Sequence, residues 1–201
     1  MSLGQGFPSH QALAVPLPAT EKPRSDGPLL AANGLNVSFP AGQGHRLTAI
    51  EDVSLSIWGG ETLGIVGESG CGKSTVAKCL AGLVRPDSGS VFLQGGLLPT
   101  RRSLQQHRAV QLVFQDPYSS LNPRLSVRSV LKELLLFHGL ARDDALERHC
   151  RELMALVGLP EAALDAYPSS FSGGQRQRIA IARALAVEPQ VIVADEPISS
   201  L

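Results

Sequence analysis

The chain has 201 residues, of which 43% are hydrophobic and 18% charged, so it is long and apolar enough for one domain with a sizeable core. Its 18 basic and 18 acidic residues cancel, which gives no electrostatic case for a nucleic-acid partner. No apolar run is long enough to span a bilayer and the N-terminus lacks a secretory signal, so any membrane role is expected to act through a partner.

The sequence changes character near residue 28. Residues 1–28 are rich in Pro, Gly, Ser and Ala and lack periodicity, which predicts a disordered or poorly ordered segment before a domain over residues 29–201. Over residues 29–57 apolar residues alternate in short runs separated by turn residues, which predicts a small antiparallel sheet. An apolar run at residues 62–66 then predicts a short buried strand.

The segment that follows, Gly-Glu-Ser-Gly-Cys-Gly-Lys-Ser-Thr, fits the phosphate-binding pattern G-x-x-x-x-G-K-[ST] and precedes a predicted helix over residues 73–83. Its glycines let backbone N–H groups approach a phosphate at the positive end of that helix. Lys73 adds a mobile positive charge, and the Ser74 hydroxyl is a suitable Mg²⁺ ligand. The alternative is a Gly-rich turn before an ordinary helix. The predicted nucleotide-binding residues are Gly67, Glu68, Ser69, Gly70, Cys71, Gly72, Lys73, Ser74 and Thr75.

The middle of the chain predicts two further short strands and then a helical insertion. Residues 90–93 and 110–114 are the strands, and Gln115 follows the second. A neutral amide at this strand end can accept from water and also touch Mg²⁺, so Gln115 could report whether a γ-phosphate is present. Two amphipathic helices come next, within an insertion of about residues 118–170. Their apolar faces are Val127, Val130, Leu131, Leu134 and Leu135, and then Leu146, Cys150, Leu153 and Val157.

Two acidic residues follow the last apolar run, residues 191–194. This run predicts a buried strand with Asp195 at its tip, where the carboxylate can hold Mg²⁺ directly or through water. Glu196 comes next and is placed to orient or deprotonate an attacking water molecule. The alternative is a buried strand that ends in two surface acids.

A second predicted phosphate site begins at Ser172. With Gln175 this serine forms a capping box, which predicts the start of a helix that runs to residue 186. Gly173 and Gly174 leave the first turn of that helix without side chains, so its N-terminus is able to receive a phosphate. The alternative is a plain capped helix. Phe39, upstream of the first loop, has two interpretations, stacking on an adenine ring or packing in the core.

Two sets of polar residues are interpreted as structural. The basic residues Arg101, Arg102, Arg176, Arg178 and Arg183 are expected on solvated faces and in local ion pairs. The three cysteines have no metal-ligand spacing and are expected to be reduced thiols in a cytosolic protein. These cysteines are Cys71, Cys79 and Cys150.

Together these motifs resemble the nucleotide-binding subunits of ABC transporters, over roughly residues 29–201. Residues 67–75 resemble the Walker A loop, Gln115 the Q-loop, residues 172–175 the signature, and Asp195 with Glu196 the Walker B pair. Finer detail in residues 113–124, with Tyr167-Pro168, is similar to the peptide/nickel importer ATPases. Within this subgroup the nearest likeness is to the second ATPase subunit of dipeptide importers.

The resemblance implies an α/β fold, a P-loop NTPase with a RecA-like core, a small antiparallel β subdomain and the helical ABC insertion. It implies ATP and Mg²⁺ as cofactors, with Glu196, Lys73 and Gln115 as catalytic residues and Ser74, Asp195 and Gln115 at the metal. The implied function is to energise an importer of peptides, nickel or a related small solute. The implied partners are a second ATP-binding subunit, identical or paralogous, two transmembrane permease subunits and, indirectly, a solute-binding protein. The implied location is peripheral, on the cytoplasmic face of the plasma (inner) membrane.

Two departures from the family pattern qualify this resemblance. Phe171 stands where the family usually has Leu at the start of the signature. The sequence ends at Leu201, before the Asp of the D-loop and before the switch His, so we expect a fragment of a longer gene product that does not turn over ATP by itself. Two alternatives stay open, a soluble ABC ATPase that acts on DNA or ribosomes and a nucleotide-binding fragment without hydrolysis.

Overall fold

The computed structural model describes residues 13–16, 27–42, 44–116 and 121–196. The chain forms two compact units, Met1–Arg102 and Ser103–Leu201. Residues 117–120 of the importer-like segment and residues 197–201, where the D-loop resemblance begins, lie outside the described residues.

The first unit is built around an antiparallel sheet. Its strand order is β3-β2-β5-β6, which confirms the small antiparallel sheet expected near the N-terminus. The helix α1 packs against β2 and β3 and buries Val76, Ala77 and Leu80. The elements of this unit are β1 (Leu13–Pro16), β2 (Leu30–Pro40), β3 (Arg46–Ile57), β4 (Leu63–Val66), α1 (Lys73–Leu80), β5 (Ser88–Leu93) and β6 (Gly96–Leu98).

The strand before the phosphate-binding motif exists, but its predicted burial is wrong. Its last residue, Val66, is 52% exposed. Among the described residues β4 pairs with β1 alone, antiparallel from Leu13↔Val66 to Pro16↔Leu63. An apolar strand with one neighbour keeps one edge and part of its faces open, so this strand is less buried than its apolar sequence predicts. β1 itself lies within the segment predicted to be disordered; residues 1–12 and 17–26 lie outside the described residues.

Helix α1 ends at Leu80, three residues before the predicted end. Gly82 adopts a left-handed conformation with φ of +77°, and its N–H donates to the carbonyl of Cys79. The N–H of Leu83 then donates to the carbonyl of Lys78 over 2.8 Å. This is the Schellman hydrogen-bond pattern, which ends many helices at a left-handed glycine. Because the helix has already ended, Leu83 is exposed and does not lie on the buried face as predicted.

The second unit combines a two-stranded parallel ladder with a helical core. The two predicted amphipathic helices are present as α3 and α4, and they bury the predicted residues Val127, Leu131, Leu135, Leu146 and Cys150 together with α5. β7 and β8 pair in parallel from Val110↔Val191 to Val113↔Ala194. The elements are α2 (Leu104–Ala109), β7 (Val110–Val113), α3 (Val127–Phe137), α4 (Asp143–Leu156), 3₁₀ helices at Glu161–Asp165 and Pro168–Ser170, α5 (Gly173–Leu185) and β8 (Val191–Ala194).

Ion pairs join the helices of the second unit. Arg128 of α3 donates through Nε to Asp165 over 2.7 Å and through a second nitrogen to Glu147 of α4. Lys132, one turn further along α3, also pairs with Glu147. These hydrogen bonds and charges hold the pKa of both carboxyl groups below their ordinary values.

The strand before the two acids is only partly buried, contrary to the prediction. Val191 is buried, but Ile192 is 43% exposed. In the described part of the chain β8 has one strand partner, β7, so one of its edges carries no ladder. As with β4, the apolar sequence identified a strand correctly but gave no information about how many neighbours it has.

Candidate nucleotide-binding site

The phosphate-binding motif forms a loop, residues 67–75, that is spanned by its own lysine. Lys73 folds back so that its Nζ donates to the carbonyls of Gly67, over 2.9 Å, and Glu68, over 2.7 Å. The same Nζ lies 3.8 Å from the Sγ of Cys71. The ammonium group, with its three donors, is therefore held within the loop, where a phosphate oxygen could replace a carbonyl as its partner.

One glycine of this loop is required by its surroundings. Gly72 has φ of +96°, and a Cβ there would lie 2.4 Å from both the carbonyl oxygen of Ala49 and the Cγ2 of Ile50. Gly70 also has a positive φ, +81°, but a Cβ at Gly70 would meet nothing within 4 Å. The loop thus packs tightly against β3 at Gly72 and is open at Gly70, as a cradle for a ligand must be.

The loop leads directly into α1. Gly72 is the N-cap residue and, because it has no side chain, it makes no side-chain capping hydrogen bond. The N–H groups of a first helical turn have no partner within the helix, and the helix dipole makes this end positive. An anion is therefore the natural partner for the backbone of residues 73–75, with the Ser74 hydroxyl beside it.

Phe39 lies at the surface, so the interpretation as a core residue is wrong. Its ring is 42% exposed on β2, and it stands opposite Leu47 of β3. The preceding residue is fixed in place, because Asp87 accepts hydrogen bonds from both the N–H and the hydroxyl of Ser38 and pairs with Arg46. The remaining interpretation, a surface on which a planar ring can stack, agrees with this exposure.

The predicted capping box at the start of α5 is present. The Ser172 hydroxyl accepts from the N–H of Gln175 over 3.3 Å, and the Gln175 side chain accepts from the N–H of Ser172 over 2.9 Å. Ser172 is exposed, and Gly173 and Gly174 form the first helical turn. The box fixes the helix start, and the two glycines leave that start free of bulky side chains.

The structure brings Gln115 and Glu196 together. The two strands run parallel and in register, and each residue follows its strand by two positions. The Gln115 side-chain amide donates to a carboxylate oxygen of Glu196. Glu196 also has a positive φ of 45°, a conformation that is uncommon for any residue with a side chain. The residues expected to activate water and to sense the γ-phosphate are therefore direct neighbours in this structure.

Asp195 is the buried member of the acidic pair. It is 8% exposed, and its N–H donates to the carbonyl of Val113 over 3.0 Å, which extends the β7–β8 ladder by one bond. Asp195 is therefore not a surface acid, whereas Glu196 is exposed, as the alternative interpretation has it. Within the second unit, the carboxylate of Asp195 and the amide oxygen of Gln115 are hard oxygen donors of the kind that Mg²⁺ prefers, and the hydroxyl of Ser74 in the first unit is a donor of the same kind.

A metal site made of protein side chains alone needs several ligand groups close together. The described residues contain no group of three or more His, Cys, Asp or Glu residues that could hold a metal ion. Magnesium in nucleotide sites typically takes one or two protein ligands and completes its shell with phosphate oxygens and water. The residues present therefore fit Mg²⁺ as a companion of a bound triphosphate.

Of the five arginines expected on solvated faces or in local ion pairs, Arg101 is exposed as predicted, whereas Arg176 is buried. Arg176 is 8% exposed and donates from Nε to the carbonyl of Pro168 over 2.7 Å. Arg178 donates to the carbonyl of Gly158, and Arg102 donates to the carbonyl of Leu80. The guanidinium groups of these arginines are therefore hydrogen-bonded to the backbone. Burial also lowers the pKa of Arg183. The missed signal was helical spacing, because Arg176 lies three residues before the buried Ile179 on the same face.

All three cysteines are free thiols, and burial raises the pKa of Cys79 to about 11. None of the helices in the described residues combines the length and the hydropathy that a membrane crossing requires.

Comparison with known proteins places these features in a family. Residues 50–199 match the family described as "ABC transporter". The glutathione import ATP-binding protein GsiA of Pectobacterium atrosepticum is 43% identical over 194 residues, which cover 92% of this chain and 31% of GsiA. The oligopeptide transport ATP-binding protein OppF of Bacillus subtilis is 46% identical over 179 residues, which cover 86% of this chain and 58% of OppF. The chain therefore spans less than two thirds of either relative.

Solved structures agree on the fold. The dimeric post-hydrolysis structure of the ATP-binding cassette MJ0796, bound to ADP and Pi, has a TM-score of 0.73 at 27% identity and covers 86% of this chain and 75% of that chain. The structure of cbiO1 from Clostridium perfringens has a TM-score of 0.70 at 26% identity and covers 88% of this chain and 68% of that chain. The predicted fold class, an α/β P-loop NTPase of the ABC type, is confirmed. Because the family match also takes in the loop at residues 67–75, the helix start at Ser172 and the acidic pair, this chain belongs to the ABC transporter family.

Proposed function

We propose that this chain is the nucleotide-binding part of an importer ATPase that binds Mg·ATP and, in the whole protein, hydrolyses it to drive uptake of a peptide or related small solute. The observation that carries the proposal is the loop at residues 67–75. Its lysine is held by two backbone carbonyls at the N-terminus of an α-helix whose start has no side-chain cap in this described segment. This arrangement of donors suits the phosphate groups of a nucleotide.

In this proposal the loop binds the phosphates through Lys73 and the backbone N–H groups of residues 67–75. Ser74, Asp195 and Gln115 are the protein groups for the metal. Mg²⁺, when bound, would neutralise charge on the β- and γ-phosphates. Phe39 presents its exposed ring to the adenine.

Glu196 is the proposed general base. Its carboxylate can accept a proton from a water molecule and orient that water toward the γ-phosphate. The contact with Gln115 occupies one carboxylate oxygen in the present structure. For Glu196 to accept a proton from water, either the Gln115 amide moves away from the carboxylate or the carboxylate binds Gln115 and water together.

The start of α5 is proposed to serve a neighbouring subunit. Ser172, Gly173, Gly174 and Gln175 present a helix N-terminus that suits the γ-phosphate of a nucleotide held mainly by a second ATP-binding subunit. That subunit is either a second copy of this chain or a paralogue. MJ0796, a structural neighbour, is described as dimeric, which supports this arrangement.

The remaining partners follow from the names of the relatives. GsiA and OppF are described as ATP-binding proteins for glutathione import and oligopeptide transport. We therefore propose two permease subunits as partners, with a solute-binding protein acting indirectly, and a peripheral location on the cytoplasmic face of the membrane. A peptide or a peptide-like thiol such as glutathione is the favoured substrate class, and nickel remains an alternative. The inactivity of the isolated chain in ATP turnover is part of the proposal, and steady phosphate release by a monodisperse sample would contradict it.

The experiment that separates an importer subunit from a soluble ABC ATPase is affinity purification of the whole protein from gently solubilised membranes. An importer subunit should bring down integral membrane proteins in a fixed ratio. The contact should persist in Lys73→Ala, which impairs nucleotide binding but not the surface of the helical insertion. Recovery of ribosomes or DNA instead of membrane proteins would reject the importer assignment.

A further inference from the structure

A buried glutamine links α5 to the end of β7. Gln177 is 1% exposed and lies two positions after the capping-box residue Gln175 on α5. Its Nε2 donates to the carbonyl of Phe114 over 3.4 Å. The opposite orientation of the amide would place two acceptor oxygens against each other, so this assignment is fixed by the carbonyl itself.

The hydrogen bond from Gln177 to the Phe114 carbonyl lies next to Gln115 in the chain. Phe114 is the residue between the end of β7 and Gln115, whose own amide donates to Glu196. The hydrogen bonds therefore form a continuous path from α5 through Gln177 and the backbone of residues 114–115 to the carboxylate of Glu196. Every step of this path lies within the second unit.

Gln177 is a poor residue for a purely structural role. The Nε2–oxygen distance is at the long end of the hydrogen-bond range, and the side-chain oxygen is buried without a donor among the described residues. A half-satisfied buried amide is less favourable than an apolar side chain of the same shape. The neighbours on its helix face, Ala180 and Ala184, are apolar and buried, so an apolar residue would suit packing better.

We infer that Gln177 is a positioning residue, which ties the helix that begins at Ser172 to the strand end that carries Gln115 and thereby sets the contact between Gln115 and Glu196. The inference rests on the proposed function for its catalytic meaning, but the tie itself is independent of nucleotide. Movement of α5 would shift the Phe114 carbonyl and with it the amide of Gln115. The nucleotide-sensing residue and the helix that faces the neighbouring subunit would then respond together.

The test measures the Gln115 side-chain amide directly, by ¹⁵N NMR hydrogen exchange in the 201-residue chain without nucleotide. Gln177→Met keeps an unbranched side chain of similar size but removes the donor. We expect exchange of the Gln115 amide to become about tenfold faster in this variant. Gln111→Met is the matched control, because Gln111 also lies on β7 but its side-chain amide donates to the carbonyl of His107 on α2 and not to α5. Unchanged Gln115 exchange in folded Gln177→Met would overturn the inference.

A reciprocal variant covers the case in which Gln177→Met does not fold. Gln115 is exposed, so Gln115→Ala should leave the core intact. Coupling between two groups acts in both directions, so exchange of the Gln177 amide should rise about twofold or more in Gln115→Ala. No change at Gln177 would also refute the tie.

In the whole protein, Gln177→Met should lower kcat for ATP about tenfold while KM changes less than about twofold. A purely structural role would instead lower the amount of folded enzyme and leave kcat per folded molecule unchanged. Titration of wild-type chain with Mg·ATP separates the two hypotheses: absence of binding rejects the proposed function, whereas the exchange results decide the Gln177 tie in either case.

Discussion

Gln115 and Glu196, 81 residues apart in sequence, meet through a side-chain hydrogen bond at the adjacent ends of β7 and β8. The parallel register of the two strands brings these residues together, because Val113 pairs with Ala194 and each residue lies two positions after its pair member. The contact restrains the side chain of Glu196, the proposed general base. In the proposed mechanism Gln115 either moves away from Glu196 or shares it with a water molecule when Glu196 acts as a base.

The first prediction concerns Glu196. In the whole protein, Glu196→Gln should retain Mg·ATP affinity within about threefold and lose hydrolysis by about 10²-fold or more, since the amide cannot accept a proton from water. ATP should then hold the subunits together, which size-exclusion chromatography detects. Glu133→Gln, at an exposed position on α3, is the control and should hydrolyse ATP normally. Normal turnover by Glu196→Gln would remove Glu196 from the mechanism.

The second prediction compares two glycines of the loop. Gly72→Ala forces a Cβ to within 2.4 Å of backbone and side-chain atoms of β3, whereas Gly70→Ala meets only its unfavourable positive φ. We expect Gly70→Ala to lower the free energy of unfolding by about 1–2 kcal/mol. Gly72→Ala should lower it by about 1–3 kcal/mol more, because overpacking is added. Urea unfolding of the chain measures both, and equal values would mean that the loop does not pack on β3 as described.

The third prediction uses two capping boxes in one chain. Ser172 caps α5 and Ser103 caps α2 in the same manner. Replacement of either serine by Ala should lower stability by about 1 kcal/mol. Only Ser172→Ala should also weaken the ATP-driven association of subunits in the whole protein, measured by light scattering. Equal association of the two variants would indicate that the α5 start does not contact a nucleotide.

The fourth prediction follows from the carboxyl groups of the helical core. Hydrogen bonds and charge from Arg128 lower the pKa of Asp165 below its ordinary value of 3.8. A folded-state pKa below the unfolded value means that this stabilisation is complete above about pH 4 and is lost as the pH falls through the folded pKa. Asp165→Asn should therefore destabilise the chain more at pH 7 than at pH 2, in urea unfolding at the two pH values. An equal loss of stability at both pH values would show that the charge plays no part.

The fifth prediction concerns the thiols. Cys71 lies in the loop beside Lys73, whereas Cys79 is buried, and its pKa is raised to about 11. At pH 8 a maleimide should therefore modify Cys71 before Cys79, as read by mass spectrometry of peptides. Mg·ATP should slow the reaction of Cys71 several-fold, because the loop would be covered. Equal rates with and without Mg·ATP would place the nucleotide elsewhere.

Local motifs were the part of the site that the sequence predicted well. A capping box needs only Ser172 and Gln175, three residues apart, and its geometry is fixed within one helical turn. The loop at residues 67–75 is likewise a local pattern of glycines and a lysine. Sequence spacing is sufficient for such features because the residues that make the structure are neighbours in the chain.

Features that depend on distant partners were not predictable in this way. The contact of Gln115 with Glu196 depends on strand register, and no short pattern encodes which strand lies next to β7. The apolar runs of β4 and β8 identified strands but not the exposure of Val66 and Ile192, which depends on how many strands are adjacent. Arg176 was misjudged because its charge was weighed and its position on the buried face of α5 was not.

The central claim is that a triphosphate binds to the loop of residues 67–75 through Lys73. Isothermal titration calorimetry of the 201-residue chain with Mg·ATP tests it most directly, with Lys73→Ala as the variant and Lys78→Ala, on the same helix, as the control of equal charge change. We expect binding by the wild-type chain and by Lys78→Ala within about twofold of each other, and a loss of about tenfold or more in Lys73→Ala. Absence of Mg·ATP binding to the folded wild-type chain, or equal binding by Lys73→Ala, would contradict the account.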